Sequence, residues 1–312
     1  MQLIKDNIDL SMYMMESETE HAVNPASSWL SEVKQHFFAP QESPKTRLPW
    51  LKTHRDFEFR PAEVTIWGGI NGHGKSMIVG HVVLGLMKQG ERVCMASLEM
   101  KPVRTMARIC RQAYGHDELS AHYLDDFSVW TDGKLWLYDH VGSCKPALIL
   151  AVIRYAVDKY KITHFVVDNL MKVIAGEDDY NAQKDFINSL CVIAGDTGVH
   201  IHIVMHVKKG RTEGDLPGKF DIKGGGANVD LVDNAFIVWR NKPKEALAMT
   251  GDLSKSDEAD ATLVLVKQRN GESEGMYGFW FDRPSMQYIE DKHDQAKTLD
   301  VSRKIYSNEV EF

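Results

Sequence analysis

The octet Gly69-Ile70-Asn71-Gly72-His73-Gly74-Lys75-Ser76 restricts the possible folds of this chain more than any other stretch. It fits GxxxxGK followed by Ser or Thr at every constrained position, a loop that turns backbone N–H groups toward a polyphosphate. The lysine neutralises β- and γ-phosphates, and the hydroxyl completes a magnesium shell. Such a loop sits between a strand and a helix. Val64-Thr65-Ile66-Trp67 reads as the strand. Ile78, Val79, Val82, Val83, Leu86 and Met87 form the apolar face of the helix, and Gly90 stops it. A dinucleotide fingerprint does not fit, because its third glycine would fall at Met77 and it has no use for Lys75-Ser76. The octet predicts ATP or another nucleoside triphosphate together with Mg2+. Gly69, Asn71, Gly72, His73, Gly74, Lys75 and Ser76 surround the phosphates, and Ser76 also serves the metal.

The rest of the sequence alternates strand and helix patterns. Strands are expected near 63–68, 92–97, 135–139, 163–168, 200–205, 234–239, 261–268 and 277–290, and helices near 75–89, 102–114, 147–159 and 182–196. Short apolar runs such as Thr163-His164-Phe165-Val166-Val167 between helices indicate an α/β fold with a mainly parallel sheet covered on both faces. The later strands lack helices between them and predict an antiparallel extension. Residues 243–261 are polar and read as a mobile hairpin tip. Three regions follow: an N-terminal segment 1–45 with a short helix near 28–38, an ATPase domain 46–290 and a flexible C-terminal tail 291–312.

With a net charge of −7, the chain cannot coat nucleic acid with its whole surface; any such contact is confined to loops. No apolar run reaches bilayer length, and Lys5, Asp6 and Asp9 stand where a signal peptide would be apolar. A cytoplasmic protein of a bacterial or phage-infected cell, without membrane contact, is expected. Cys94, Cys110, Cys144 and Cys191 contain no CxxC pair, which predicts reduced core thiols rather than a zinc ribbon.

Asp168 ends the apolar strand 163–167, where open α/β sheets place ligand-contacting groups. Next to a phosphate loop it reads as a magnesium ligand, or else as a carboxylate capping a strand end. Glu99 follows strand 92–97 at a place suited to activating a water, or to serving as an N-terminal acid for the helix beyond Pro102.

Five segments occur in a recognisable order. Beyond the octet they are Ser97-Leu98-Glu99-Met100, Val166-Val167-Asp168-Asn169-Leu170, Ile203-Val204-Met205-His206-Val207-Lys208-Lys209 with Lys223-Gly224-Gly225-Gly226-Ala227, and Lys267-Gln268-Arg269-Asn270-Gly271. Over residues 46–290 the chain resembles DnaB-type hexameric replicative helicases with a RecA-like P-loop NTPase core. It is most similar to the branch containing Twinkle and the helicase half of phage primase–helicases. The resemblance implies that Lys75 and Ser76 bind phosphate and magnesium, Asp168 binds magnesium, Glu99 is the catalytic base and His206 senses the γ-phosphate. It implies too that Lys267 and Arg269 reach the nucleotide of a neighbouring subunit, Arg269 as the arginine finger. The implied activity is ATP-dependent 5′→3′ translocation on single-stranded DNA by a homo-hexamer in DNA replication.

The segment Val207–Gly226 is the candidate DNA contact. Lys208, Lys209, Arg211, Lys219 and Lys223 attract phosphates, and Gly224, Gly225 and Gly226 permit close backbone approach. His200, His202 and His206 share a period-two face, which a core strand explains better than a metal does. Segment 28–38 reads either as the linker helix that the resembled family packs on an adjacent subunit or as local core. Glu309, Glu311 and Phe312 resemble the acidic, aromatic-ending tails of phage replication proteins that dock polymerases or compete with DNA, which makes a polymerase, a primase or a single-strand-binding protein a candidate partner; the alternative reading is a short disordered tail. The upstream zinc and primase modules of primase–helicases have no counterpart here, so primer synthesis is not expected. Two other readings stay open: a RecA-like DNA-stimulated ATPase of recombination type, and an accessory subunit of another helicase ring.

Overall fold

The computed structural model describes residues 2–5, 9–14, 25–38, 45–174, 179–207, 214–223 and 226–302. Seven strands run parallel in the order β1 (Gln2–Lys5), β4 (Leu135–Asp139), β3 (Val93–Ser97), β5 (His164–Asp168), β6 (His200–His206), β2 (Val64–Gly69) and β7 (Asn234–Arg240). Three antiparallel strands extend the sheet beyond β7: β8 (Ala261–Gln268), β9 (Gly275–Asp282) and β10 (Gln287–Ile289). The fold is α/β, with a mostly parallel centre and an antiparallel flank.

Side chains alternate between two cores because strand residues alternate between faces. Phe165 and Val167 of β5 enter one core, and Val166 enters the other. After α1 (Ser11–Met14) and α2 (Leu30–Phe38), the helices α3 (Lys75–Lys88), α4 (Pro102–Tyr114) and α5 (Ala121–Thr131) cover one face. The other face carries α6 (Pro146–Tyr160), α7 (Tyr180–Thr197) and α8 (Gly226–Leu231). From β2, α3 leads to β3 on one side, whereas the chain leaving β6 crosses to β7 on the other. The ends of β2 and its neighbours thus frame a switch-point crevice.

Several expectations change. Strand β1 pairs with β4 and buries Ile4, and α5 is an additional helix capped by Ser120, whose Oγ accepts from Tyr123 N at 3.2 Å. The expected strand 277–290 is two strands joined by a turn. The polar insert at 243–261 begins as a helix, α9 (Lys242–Met249), with Asn241 Oδ1 accepting from Lys244 N at 3.0 Å and Pro243 in the first turn.

The tail expected from 291 is packed over its first part. Leu299 N donates to the Ala113 carbonyl at 2.7 Å, Lys297 N donates to Gln287 Oε1 at 3.0 Å, and Val301 is buried. Two apolar anchors within polar sequence hold it there. Residues 303–312, including Glu309, Glu311 and Phe312, lie outside the described residues. The expected helix at 28–38 is a 3-10 turn, Ala26–Trp29, running into α2, and Leu30, Val33 and Phe38 are exposed.

Candidate active site

Strand β2 delivers the octet at its C-terminal end, where α3 begins at Lys75. Gly72 and Gly74 take φ of 78° and 87°, a region that side chains rarely enter. A Cβ on Gly74 would strike the Tyr288 hydroxyl, and one on Gly69 would lie 2.6 Å from the Val238 carbonyl. His73 is turned inward and its Nδ1 accepts from Arg240 N at 3.1 Å, which ties the loop to the end of β7. Asn71 and Gly72 are exposed at the tip.

Lys75 Nζ donates to the carbonyls of Gly69 (2.9 Å) and Ile70 (3.0 Å) and lies 3.2 Å from His206 Nδ1. Burial pulls its pKa down to about 8, although Asp168 and Glu99 oppose the shift. Asp168 is buried at the end of β5. Burial pushes its carboxyl up, against a hydrogen bond from Ser76 and the charge of Arg108. Asp168 Oδ1 has no hydrogen-bond partner. Asn169 Nδ2 donates to Glu99 Oε1 at 2.8 Å and lies 3.3 Å from His206 Nε2. A neutral imidazole has one acceptor nitrogen, so Lys75 and Asn169 compete for this ring.

The donors fit magnesium. A buried, unpartnered carboxylate oxygen beside a serine hydroxyl is a hard-oxygen site with too few protein ligands for a closed cage, and Mg2+ fills such sites with phosphate and water. Among the described residues no group of three or more His, Cys, Asp or Glu could hold a metal by itself.

Lys267 and Arg269 lie elsewhere. Gln268 pairs with Asn234, which pairs with Thr65, so both cations stand at the start of β2, roughly 13 Å along the strand from the octet. Lys267 Nζ donates to the Val229 and Asp230 carbonyls at 2.7 and 3.0 Å. Arg269 Nη1 donates to Asp233 Oδ1 at 3.0 Å, and Nη2 donates to the Asp230 and Leu231 carbonyls at 3.0 Å. The Arg269 side chain is nonetheless 48% exposed.

Of the candidate DNA-contact residues, Lys208, Lys209, Arg211, Gly224 and Gly225 lie outside the described residues. Gly226 opens α8, and Lys223 N donates to the His206 carbonyl at 3.0 Å. With the Val207–Ile222 bridge, this pins both ends of the segment beside His206. His200 and His202 do lie on a core face, and His164 joins them: His164 Nδ1 is 3.0 Å from His202 Nε2, and Trp67 Nε1 donates to His202 Nδ1 at 3.2 Å. His206, at the end of the same strand, is separate and belongs to the crevice.

Three neighbours of the crevice have no role in the motifs as the sequence presents them. Asn169 follows Asp168 directly. Arg108 faces Asp168 from α4 with Nε and Nη2 buried and unpartnered. Tyr288 reaches Gly74 from β10. Only the adjacency of Asn169 to Asp168 was a signal in the sequence.

Residues 29–212 match the family model described as an AAA domain. The chain belongs to the AAA domain family. As an AAA domain it is a P-loop NTPase, and the matched stretch runs from α2 past His206. Its fold is similar to the "ATPase Domain of G40P", with a TM-score of 0.69 and 14% identity over 86% of this chain and 99% of that one. It is similar also to the structure of a DnaB-like replicative helicase and its interactions with primase, with a TM-score of 0.67 and 12% identity over 86% and 67% of the two chains. The AAA domain found here thus shares its fold with that ATPase domain and with a DnaB-like replicative helicase. Among the described residues no helix is long and apolar enough to cross a membrane.

Proposed function

We propose that the chain is the motor subunit of a ring, most simply a homo-hexamer, that hydrolyses ATP between adjacent copies and moves 5′→3′ on single-stranded DNA during replication. One observation carries this reading: the phosphate loop and its carboxylates occupy one end of the sheet, while Arg269 is held preformed and half-exposed at the other. An arginine that cannot reach its own nucleotide can serve the next copy's, where charge on the transferring phosphoryl group needs a cation. The exposed apolar face of α2 supports association of copies.

In this reading the γ-phosphate replaces the Gly69 and Ile70 carbonyls as the partner of Lys75 and frees His206 Nδ1. Glu99, oriented by Asn169, takes the proton of the attacking water. Asp168 and Ser76 would hold Mg2+, which would supply positive charge against the phosphates. His206 then reports the phosphate to segment 207–226 through the Lys223 backbone bond, and the lysines of that segment draw the strand. A primase is the partner class suggested by the DnaB-like relative.

The deciding experiment is forked-duplex unwinding with ATP, comparing wild type with Arg269→Ala. Unwinding that is lost in the variant supports the proposal; single-strand-stimulated hydrolysis without strand separation would favour a recombination-type ATPase. Glu99→Gln should bind ATP within about threefold of wild type and lose at least about 100-fold in turnover. Mixing Glu99→Gln with Arg269→Ala subunits should restore part of the turnover, because some interfaces then pair an intact Glu99 with an intact Arg269. If mixing restores nothing, the shared pocket is wrong.

A further inference from the structure

Phe220 stands on the 3-10 turn Lys219–Asp221 with 71% of its surface exposed, whereas the other phenylalanines among the described residues are mostly buried. An aromatic ring held in water is a cost unless something covers it. The ring is not loosely hung. Asp221 Oδ2 accepts from Gly218 N at 2.7 Å and fixes the turn, and Ile222 is fully buried. A Cβ on Gly226 would come within 3.6 Å of the ring, so bare backbone backs it. A shallow groove of about 440 Å³ adjoins the ring, floored by Val264, Val266 and the 63% exposed Met276, with Glu274 also lining it.

The surroundings identify the occupant. Lys219 Nζ lies 5.5 Å from the ring centroid, and Lys223 follows Phe220 by three residues. Residues 208–223 hold five Lys or Arg against three Asp or Glu, a local excess of positive charge in a chain of net charge −7. Apolar aromatic surface among lysines fits a base together with its phosphates better than it fits an apolar protein face. Ile222 bridges Val207, and the Lys223 backbone bonds His206, so the ring sits a few residues from a group that contacts the phosphate-loop lysine.

We propose that Phe220 is a stacking platform for a base of single-stranded nucleic acid, with Lys219 and Lys223 holding the flanking phosphates. This rests on the single-strand reading given above and adds to its backbone contacts a grip on the base. Stacking is sequence-tolerant, since every base has a flat face.

The test is fluorescence anisotropy on the full chain, using an oligothymidylate and an abasic deoxyribose-phosphate oligomer of equal length at one salt concentration. Wild type should prefer the oligomer with bases. Phe220→Ala should weaken oligothymidylate binding by roughly 5- to 100-fold, leave abasic binding within about twofold, and leave the mass by light scattering unchanged. Phe220→Tyr should restore the preference. Equal weakening of both oligomers by Phe220→Ala, no weakening of either, or a fall in particle mass would overturn the platform; the last would assign the ring to a contact between copies. If wild type binds neither oligomer, the single-strand reading itself falls and takes the platform with it.

Discussion

Lys75→Met should raise the melting temperature of the nucleotide-free protein while abolishing ATP binding and hydrolysis. Burial holds the Lys75 ammonium at about 8, against 10.5 for a free lysine. That gap corresponds to about 3 kcal/mol by which the charged group opposes folding. The unfolded chain binds this proton more tightly, so the penalty is fully present below pH 8 and fades as pH rises from 8 toward 10.5. Methionine keeps the length of the side chain and removes the charge. The two carbonyls that lose Nζ keep other donors, since Val207 N bonds Gly69 O and His73 N bonds Ile70 O, both at 3.2 Å. A net gain of about 1–2 kcal/mol, or a few degrees, is expected in a melt. Turnover should fall by a factor on the order of 10³ or more, since on the proposed mechanism Lys75 is the cation that faces the transferred phosphate. Wild-type nucleotide affinity should also weaken as pH rises above 8, where the empty site loses its proton. A lower melting temperature for the methionine variant would mean that Lys75 stabilises the empty fold rather than waiting under electrostatic stress for its ligand.

Acid should unfold this protein well before its carboxylates are titrated. His164, His200 and His202 are buried side by side between β5 and β6, and Phe59 packs edge-on against all three. Burial lowers His164 and His200 to about 3 and His202 well below its usual value. All three fold neutral, whereas each accepts a proton near pH 6.5 in the unfolded chain. Stability is therefore complete above about pH 6.5 and is lost as pH falls toward 3. Between pH 7 and pH 5 the loss approaches ~6 kcal/mol, comparable with the whole stability of an ordinary domain. His81, buried on α3 and lowered to about 4, acts in the same direction. Thermal melts from pH 7.5 to 4.5 check this, and a flat profile across that range would refute it. The trio also gives physical content to the choice between metal and core. Its nitrogens are taken up internally: His202 Nδ1 by Trp67, His200 Nε2 by Thr65 at 2.8 Å, and His200 Nδ1 by the Arg60 carbonyl at 2.6 Å.

Contiguity decided what could be read from the chain. The octet spans eight neighbouring residues, so its loop, its strand and its helix were visible together. Asp168 was visible because a carboxylate ending an apolar strand violates the pattern around it. Asn169 breaks no pattern, yet its amide joins Glu99 to His206, residues separated from it by 70 and 37 positions. Arg108 is one cation among several on α4 in sequence, and only the fold turns it toward Asp168. Strand β1 is too short for its periodicity to show, and only pairing with β4, far along the sequence, makes it a strand. Helix α9 was misread because Gly251, Ser254 and the acidic residues after it outweighed a short helix opened by Asn241 and Pro243. Leu299 and Val301 show the same limit: two apolar residues in a polar stretch carry no period, and only the surface they meet gives them meaning.

Strand β10 has a bearing on how the protein is made. Its Tyr288 lies over Gly74; the Trp50 indole donates to the Tyr288 carbonyl at 2.7 Å, and Gln112 binds the backbone of both Met77 and Met286. The octet is thus backed by residues that leave the ribosome long after the octet itself. A nascent chain halted before Gln287 would display the complete motif without the strand that packs over it, so the finished seat of the octet has to wait for that late segment to emerge and fold back.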